Sequence, residues 1–420
     1  MRDAATRSDA AHSAALRLVV ITPELPFPGI ASAGATYLSR HLDVLEEVGT
    51  VRVIAPSHSG NRRALETWTR RAEVHLVGGA DADLHVRGRD RVWNGLRGAG
   101  LGAEFRRRLR REPHLRETIA HADVVEFHWT DSAGLLADVR RLNARATTVI
   151  VCHDIHAQLW GRRAAYARGW RKAYFAARGW VTSRAERRLF SRADAVVFLS
   201  HKDRDLAVQA CPGRESAFWV IEPPLADAAL VPVGRAGADF APGADLPTVV
   251  LSGAFAFPKN SQAAMWLVDK VWPLVAARCD ARLVLVGADP TPAMRAAAAD
   301  PRIEVTGWVE DPRAYVAAAD VFVAPLLTGS GVKFKVIEAL VLDRPVVGTD
   351  IAWEGIDCPG AMPVPAEPAA FARAILSVLS DPDAAREQAG VRGAWARERY
   401  GMERHRRELR AVLATVAPSP

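Results

Sequence analysis

The chain alternates short apolar runs with helical periodicity, and it does so in both halves. Residues 16–22, LRLVVIT, are almost wholly apolar. A glycine-containing loop follows, then Tyr37–Glu47 with Leu38, Leu42 and Leu45 at helical spacing, then the apolar run Val51–Ala55. Consecutive apolar residues mark strands covered on both faces, so this β-α-β start predicts a parallel sheet. Further strands are expected at Val74–Val77, Val124–Phe127, Thr148–Cys152 and Ala195–Leu199. The pattern resumes with strands at Thr248–Ser252, Leu283–Val286, Ile303–Thr306, Val321–Ala324 and Pro345–Gly348, and helices at Ser261–Ala277 and Pro312–Ala318. Two doubly wound, Rossmann-like α/β domains are the expected fold class. Their bounds are read as 16–222 and 248–395, joined by a Pro/Gly/Ala-rich connection at 223–247. Residues 1–15 read as a disordered tail, and 396–420 as a C-terminal helix and tail able to cross back to the first domain.

One segment breaks an electrostatic rule. PLLTGSGVKFKVIEAL, residues 325–340, passes from a strand through a Gly-Ser-Gly turn into a helix, and Lys333 and Lys335 fall at the helix start. The macrodipole makes that end positive, so each lysine there costs a few tenths to roughly 1 kcal/mol. The chain has only six lysines among 55 basic residues, so two within three positions stand out. A bound diphosphate resolves the conflict: ligands of open α/β sheets lie beyond the carboxyl ends of the strands, where glycine turns and helix N-termini receive anions. Solvated surface lysines are the alternative.

No run of about 18 apolar residues occurs, which excludes a membrane-spanning helix, and the first fifteen residues lack the apolar core of a signal peptide. The four cysteines, Cys152, Cys211, Cys279 and Cys358, form no C-x-x-C pair. That argues against a zinc site or a disulfide framework and for a reduced, cytoplasmic setting. No G-x-G-x-x-G follows the first strand, which argues against a dehydrogenase.

Together with LSGAFAFPKNSQAAMWLV from Leu251, ARLVLVGADP from Ala281, and the long stretch from Ile303 to Ile356, the lysine segment resembles the C-terminal domain of the retaining glycosyltransferase family called group 1 (family 4-like), of GT-B fold. Its G-S-G-x-K-x-K-x-x-E form is similar to a bacterial subgroup linked to exopolysaccharide and cell-envelope sugars. The resemblance implies two domains facing a cleft, and transfer of a sugar from a nucleotide-diphosphate sugar, as donor substrate, with retention of configuration. It implies no cofactor and no bound metal. Carried over by position, Glu338 is the ribose contact, and Lys259, Lys333 and Lys335 face the diphosphate. Gly253, Gly329, Ser330 and Gly331 line the phosphates, and Gly307 and Trp308 lie beside the base. Two positions depart from the family pattern: Ser330 stands where many members have a first glutamate, and Ala254 where many have an arginine.

In the first domain, PELPFPGIASAGATYL resembles the family's first loop, with Gly34 letting backbone approach the donor phosphate or acceptor. TTVIVCHDIHAQ resembles the strand end carrying the active-site histidine, which maps to His153; His128 is the alternative, and either could be a hydrogen-bonded histidine at a sheet edge. Asp154 is expected to orient His153 or to cap the next helix, and Glu24 to face the acceptor or solvent. Asp81-Ala82-Asp83 has only a superficial likeness to a metal-binding D-x-D. Residues 159–192 hold ten Arg/Lys and one acid, Glu186, and Trp160, Tyr166, Trp170, Tyr174, Phe175 and Trp180 interleave with the charges. Gly161, Gly169 and Gly179 are expected to interrupt any helix there. That stretch fits either a helix packed on its domain or peripheral contact with the anionic inner face of a membrane, where a lipid-linked acceptor would lie; glycans and small natural products are the other acceptors, and no nucleic acid is expected. An epimerase or hydrolase on the same fold, or a non-catalytic nucleotide-sugar-binding scaffold, remains open.

Overall fold

The computed structural model describes residues 15–27, 33–78, 103–225 and 246–417. Most of the expected tail and of the 223–247 connection, and the Asp81-Ala82-Asp83 loop, lie outside the described residues.

The first domain is a seven-stranded parallel sheet of β1 (Leu16–Ile21), β2 (Gly49–Pro56), β3 (Glu73–Val77), β4 (Val124–His128), β5 (Thr147–Cys152), β6 (Ala195–Phe198) and β7 (Phe218–Val220), in the order 3-2-1-4-5-6-7. β1 is central, with Leu18 opposite Val51 on one side and Val124 on the other. Its side chains alternate: Val19 and Ile21 join the core with Val125, Phe127 and Ile150, while Leu18 and Val20 pack on Leu38 and Leu42 of helix Ala33–Val48. The second domain repeats the plan with β8 (Thr248–Ser252), β9 (Arg282–Val286), β10 (Ile303–Gly307), β11 (Val321–Ala324) and β12 (Val346–Gly348), all parallel, in the order 10-9-8-11-12. Both sheets are covered on both faces, as their apolar runs require.

The C-terminal helical stretch is two helices. Pro382–Arg399 packs on the second domain and runs past the expected boundary at 395; Met402–Val416 begins after Gly401. The second of these crosses back, placing Met402, Leu409, Val412 and Leu413 in the first domain's core. The two chain crossings between domains are strapped together: Leu225 N–H donates to Tyr400 O at 2.7 Å, and Arg399 pairs with Glu222 at 2.7 Å.

The glycines of the basic aromatic stretch do not all break it. His156–Tyr166 and Gly169–Arg192 form a helical hairpin, interrupted only where Gly169 takes φ +58°. Gly161 and Gly179 lie inside helices. A Cβ on Gly179 would stand 3.4 Å from Trp160 Cβ, so its absence lets the two helices approach; tertiary packing outweighs the propensity penalty.

Candidate functional site: the cleft between the two sheets

Three glycines close the strands β8, β9 and β10. Gly253 N–H donates to Val286 O at 2.9 Å, and Gly287 N–H to Gly307 O at 3.1 Å. A side chain on Gly287 would overlap Gly253 O, and one on Gly253 would meet Lys335 Nζ at 2.7 Å. The carboxyl edge of this sheet is therefore bare backbone, with exposed Trp308 and Phe257 beside it.

The loop after β11 brings the lysines to that edge. Lys333 is the N-cap of helix Phe334–Val341, and no side chain caps that helix or helix Pro258–Trp266. Lys333 is buried; its Nζ donates to Ser330 O at 3.0 Å and to Gly331 O. Lys335 donates to Ser252 O at 2.6 Å and to Asn260 Oδ1 at 3.1 Å. Neither ammonium is solvated at the surface. Burial, together with the nearby charge of exposed Lys259, pushes both down to about 8. Three lysines and two uncapped helix N-termini thus concentrate positive potential at one place, an arrangement with the electrostatics to receive an anion. Burial raises the Glu338 carboxyl, opposed by Arg40 of the first domain, Lys335 and Arg313. Glu338 and Lys335 interact through charge and not through a hydrogen bond, because Lys335 is directed at Ser252 and Asn260.

The first domain closes on this loop. A side chain on Gly331, at φ +70°, would overlap the Asp154 carboxylate and stand 3.2 Å from His153 O. A Cβ on Gly355, at φ +74°, would stand 2.9 Å from Ser200 Cβ. Three residues that local sequence did not single out tie the halves. Glu354 accepts both Nη groups of Arg162 at 2.7 Å each and Lys202 Nζ at 2.6 Å, and lies 3.8 Å from Lys333 Nζ. Arg162 also donates to Gly329 O at 2.6 Å. These pairs are 192 and 152 residues apart in the chain, so no local spacing announces them; the one available signal was Lys202, another of the six lysines, just beyond a strand end.

His153 is buried at 6% exposure and stacks on Trp129 with ring centroids 4.0 Å apart and planes 7° apart. Trp129 holds φ +62°, a conformation a bulky side chain rarely adopts. Several first-domain expectations need correction. His128 is fully buried behind His153, so it cannot reach an acceptor. Gly34 lies in the first turn of helix Ala33–Val48 against the Trp129 indole, which a side chain there would overlap; the glycine serves packing. Asp154 neither caps the next helix nor orients His153. Glu186 accepts the backbone N–H of His156 at 2.7 Å and of Ala157 at 3.3 Å, while Trp129 and His128 hold the His153 ring. Glu24 lies in the loop after β1, its backbone oxygen accepting from Thr22 Oγ1 at 2.9 Å. His41, Glu126 and His128 bring ligand-type atoms within 4.8 Å of one another in the first domain's interior.

Residues 246–381 match a family model described as glycosyl transferases group 1. Over these residues the second domain is similar to a group 1 glycosyl transferase domain. Its lysine loop, the glycine edge and Glu338 all fall inside the matched residues. Over nearly the whole chain, HepE of Anabaena, solved in complex with UDP, superposes with a TM-score of 0.68 at 16% identity, covering 95% of this chain and 100% of that one. Sucrose-phosphate synthase from Thermosynechococcus elongatus gives 0.67 at 15% identity, covering 95% and 98%. A UDP-forming α,α-trehalose-phosphate synthase from Burkholderia vietnamiensis gives 0.66 at 13%, covering 95% and 100%. These likenesses establish the GT-B fold. No curated protein matches the chain by sequence.

Proposed function

We propose that the protein is a glycosyltransferase that moves a hexose from a nucleotide-diphosphate sugar to an acceptor hydroxyl with retention of configuration. The observation that carries this reading is the convergence of Lys259, Lys333 and Lys335 on two uncapped helix N-termini at a glycine-lined sheet edge. Developing negative charge on a leaving diphosphate is stabilised there by fixed dipoles and ammonium groups, so the site has no need of a metal ion. In this reading Glu338 takes the ribose hydroxyls, Gly307 and Trp308 border the base, and the loop Gly329–Ser330–Gly331 offers backbone N–H groups to the phosphates. Ser330 replaces a longer carboxylate, which leaves room beside the sugar. His153 faces the transferred sugar, and the leaving phosphate takes the acceptor proton on the same face.

HepE binds UDP and UDP-glucose in its solved complexes, so UDP-glucose is the donor to test first. No described helix is long and apolar enough to cross a membrane. The helical hairpin instead offers Trp170 at 77% and Trp180 at 63% exposure among arginines. We assign it to the anionic inner surface of the membrane, where a lipid-linked sugar of the cell envelope would be the acceptor. The test is release of UDP from UDP-glucose with and without a polyprenyl-diphosphate-linked sugar. Acceptor-dependent release that disappears in Lys335→Ala supports the reading; binding without release across acceptors would favour a scaffold.

A further inference from the structure

Behind His153 runs a buried chain of titratable side chains. His153 Nε2 stands 3.4 Å from His128 Nδ1, and His128 Nε2 stands 3.3 Å from Glu126 Oε2. The same carboxylate oxygen lies 2.9 Å from His41 Nε2. His41 Nδ1 in turn lies 3.3 Å from both the Tyr37 hydroxyl and His405 Nε2. Four separate elements contribute: β4, helix Ala33–Val48, the end of β5, and the C-terminal helix that crosses back. Every member is nearly sealed from solvent.

Counting protons along this chain leaves one arrangement. Burial disfavours the Glu126 anion, yet His41 and His128 hold the carboxyl below its usual range, so it is ionised and accepts only. Both Nε2 atoms that touch it therefore carry hydrogen. Burial keeps His128 neutral near pH 7, pushing it down to about 4. A neutral imidazole has one N–H, so His128 Nδ1 is a bare acceptor. The hydrogen between His128 and His153 must then belong to His153 Nε2. Burial, with His128, His41 and His156 nearby, keeps His153 neutral as well. Its Nδ1 is left as the only acceptor on the ring. Trp129, stacked at 4.0 Å, fixes the plane of the same ring.

We infer that Glu126, acting through His128, locks His153 in the Nε2–H tautomer and so makes Nδ1 an acceptor for a sugar hydroxyl. Glu126 and His128 are positioning residues, since neither touches the substrate. What His153 does with that acceptor rests on the glycosyltransferase reading; the tautomer does not. The three atoms around Glu126 are close enough together to suit a metal ion, but the hydrogen-bond pattern accounts for each contact without one.

The test reads nitrogen shifts and long-range proton couplings of the full-length protein labelled with 15N-histidine, with His153→Asn providing the assignment. Wild type should show His153 as Nε2–H alone from pH 6 to 8, and no bound metal by elemental analysis. Glu126→Leu removes the acceptor, so His153 should become a mixture of tautomers; Glu126→Gln keeps an oxygen in place and should restore the pure form. With UDP-glucose as donor, Glu126→Leu should lower turnover by about tenfold or more while UDP affinity is unchanged, and Glu126→Gln should recover most of it. An Nδ1–H His153 in wild type, or a stoichiometric metal ion at His41, Glu126 and His128, would overturn the inference. So would loss of the tautomer with turnover intact. The wild-type spectrum stands even where Glu126→Leu fails to fold. No turnover of any nucleotide sugar by wild type, with the tautomer as expected, would sink the functional reading and the positioning role but leave the proton arrangement in place.

Discussion

Glu354 receives both guanidinium Nη groups of Arg162, each at 2.7 Å, and the two residues belong to opposite domains. Lys202 adds a third donor at 2.6 Å, and Lys333 approaches to 3.8 Å. One nearly buried carboxylate thereby compensates three cations around the proposed phosphate loop. Removing one member of a buried pair costs about 3–5 kcal/mol. Glu354→Ala should therefore lower stability by about 3 kcal/mol, with part of the loss appearing as a more open cleft. Urea unfolding and small-angle scattering measure both. Burial opposes the Glu354 anion, but Arg162 and Lys202 hold it below the usual carboxylate range. Its contribution is thus complete above the ordinary carboxylate value and is lost as pH falls through the lowered one.

Gly331→Ala should weaken the same junction for two reasons. The left-handed backbone costs about 1–2 kcal/mol for a side chain, and the Cβ meets the Asp154 carboxylate. Pairing it with Asp154→Ala should remove the clash and leave the backbone strain. A double-mutant cycle on thermal stability separates the two contributions.

Lys333 and Lys335 set opposite pH trends for stability and for binding. Burial lowers both to about 8 from an ordinary 10.5. Between those values the unfolded chain binds more protons, so the unliganded protein should gain stability as pH rises from about 8 to 10. A diphosphate favours the charged ammonium groups and raises their pKa. Binding should take up protons near pH 8, and affinity should fall as pH rises beyond it. Calorimetry in buffers of different ionisation enthalpy counts those protons; release instead of uptake would contradict the arrangement.

The hairpin should bind anionic bilayers. Trp170 and Trp180 stand exposed on it. Replacing both with alanine should reduce co-sedimentation with phosphatidylglycerol vesicles several-fold while leaving UDP binding unchanged. High salt should weaken binding further, since the arginines act through screened charge. Equal sedimentation of wild type and variant would mean that the hairpin serves another purpose.

Much of the fold is written in local sequence. β8, β11 and the helix Pro312–Ala318 fall on the residues expected, because apolar runs bounded by Pro, Gly or Asp are written within a few positions. β7, Phe218–Val220, was missed: three residues at a sheet edge carry no period. The hairpin is not legible locally, because Gly161 and Gly179 reduce helix propensity, while the close approach of Gly179 to Trp160 is a tertiary contact. The lysine loop was legible as an electrostatic anomaly within three residues. Glu354, Arg162 and Lys202 were not, since their meaning arises only when the domains meet. His128 read as a cleft residue because sequence places it at a strand end but does not reveal that His153 and Trp129 cover it.

The central claim is that a nucleoside diphosphate binds where Lys333 and Lys335 meet the helix N-termini. Isothermal titration of UDP, then GDP, ADP, CDP and dTDP, into wild type and Lys335→Ala tests it most directly. The account predicts one site selective for one base, weakened about tenfold or more in the variant, with variant stability equal or higher because a buried ammonium is gone. Absence of binding by every diphosphate, or equal affinity in the two proteins, would contradict it.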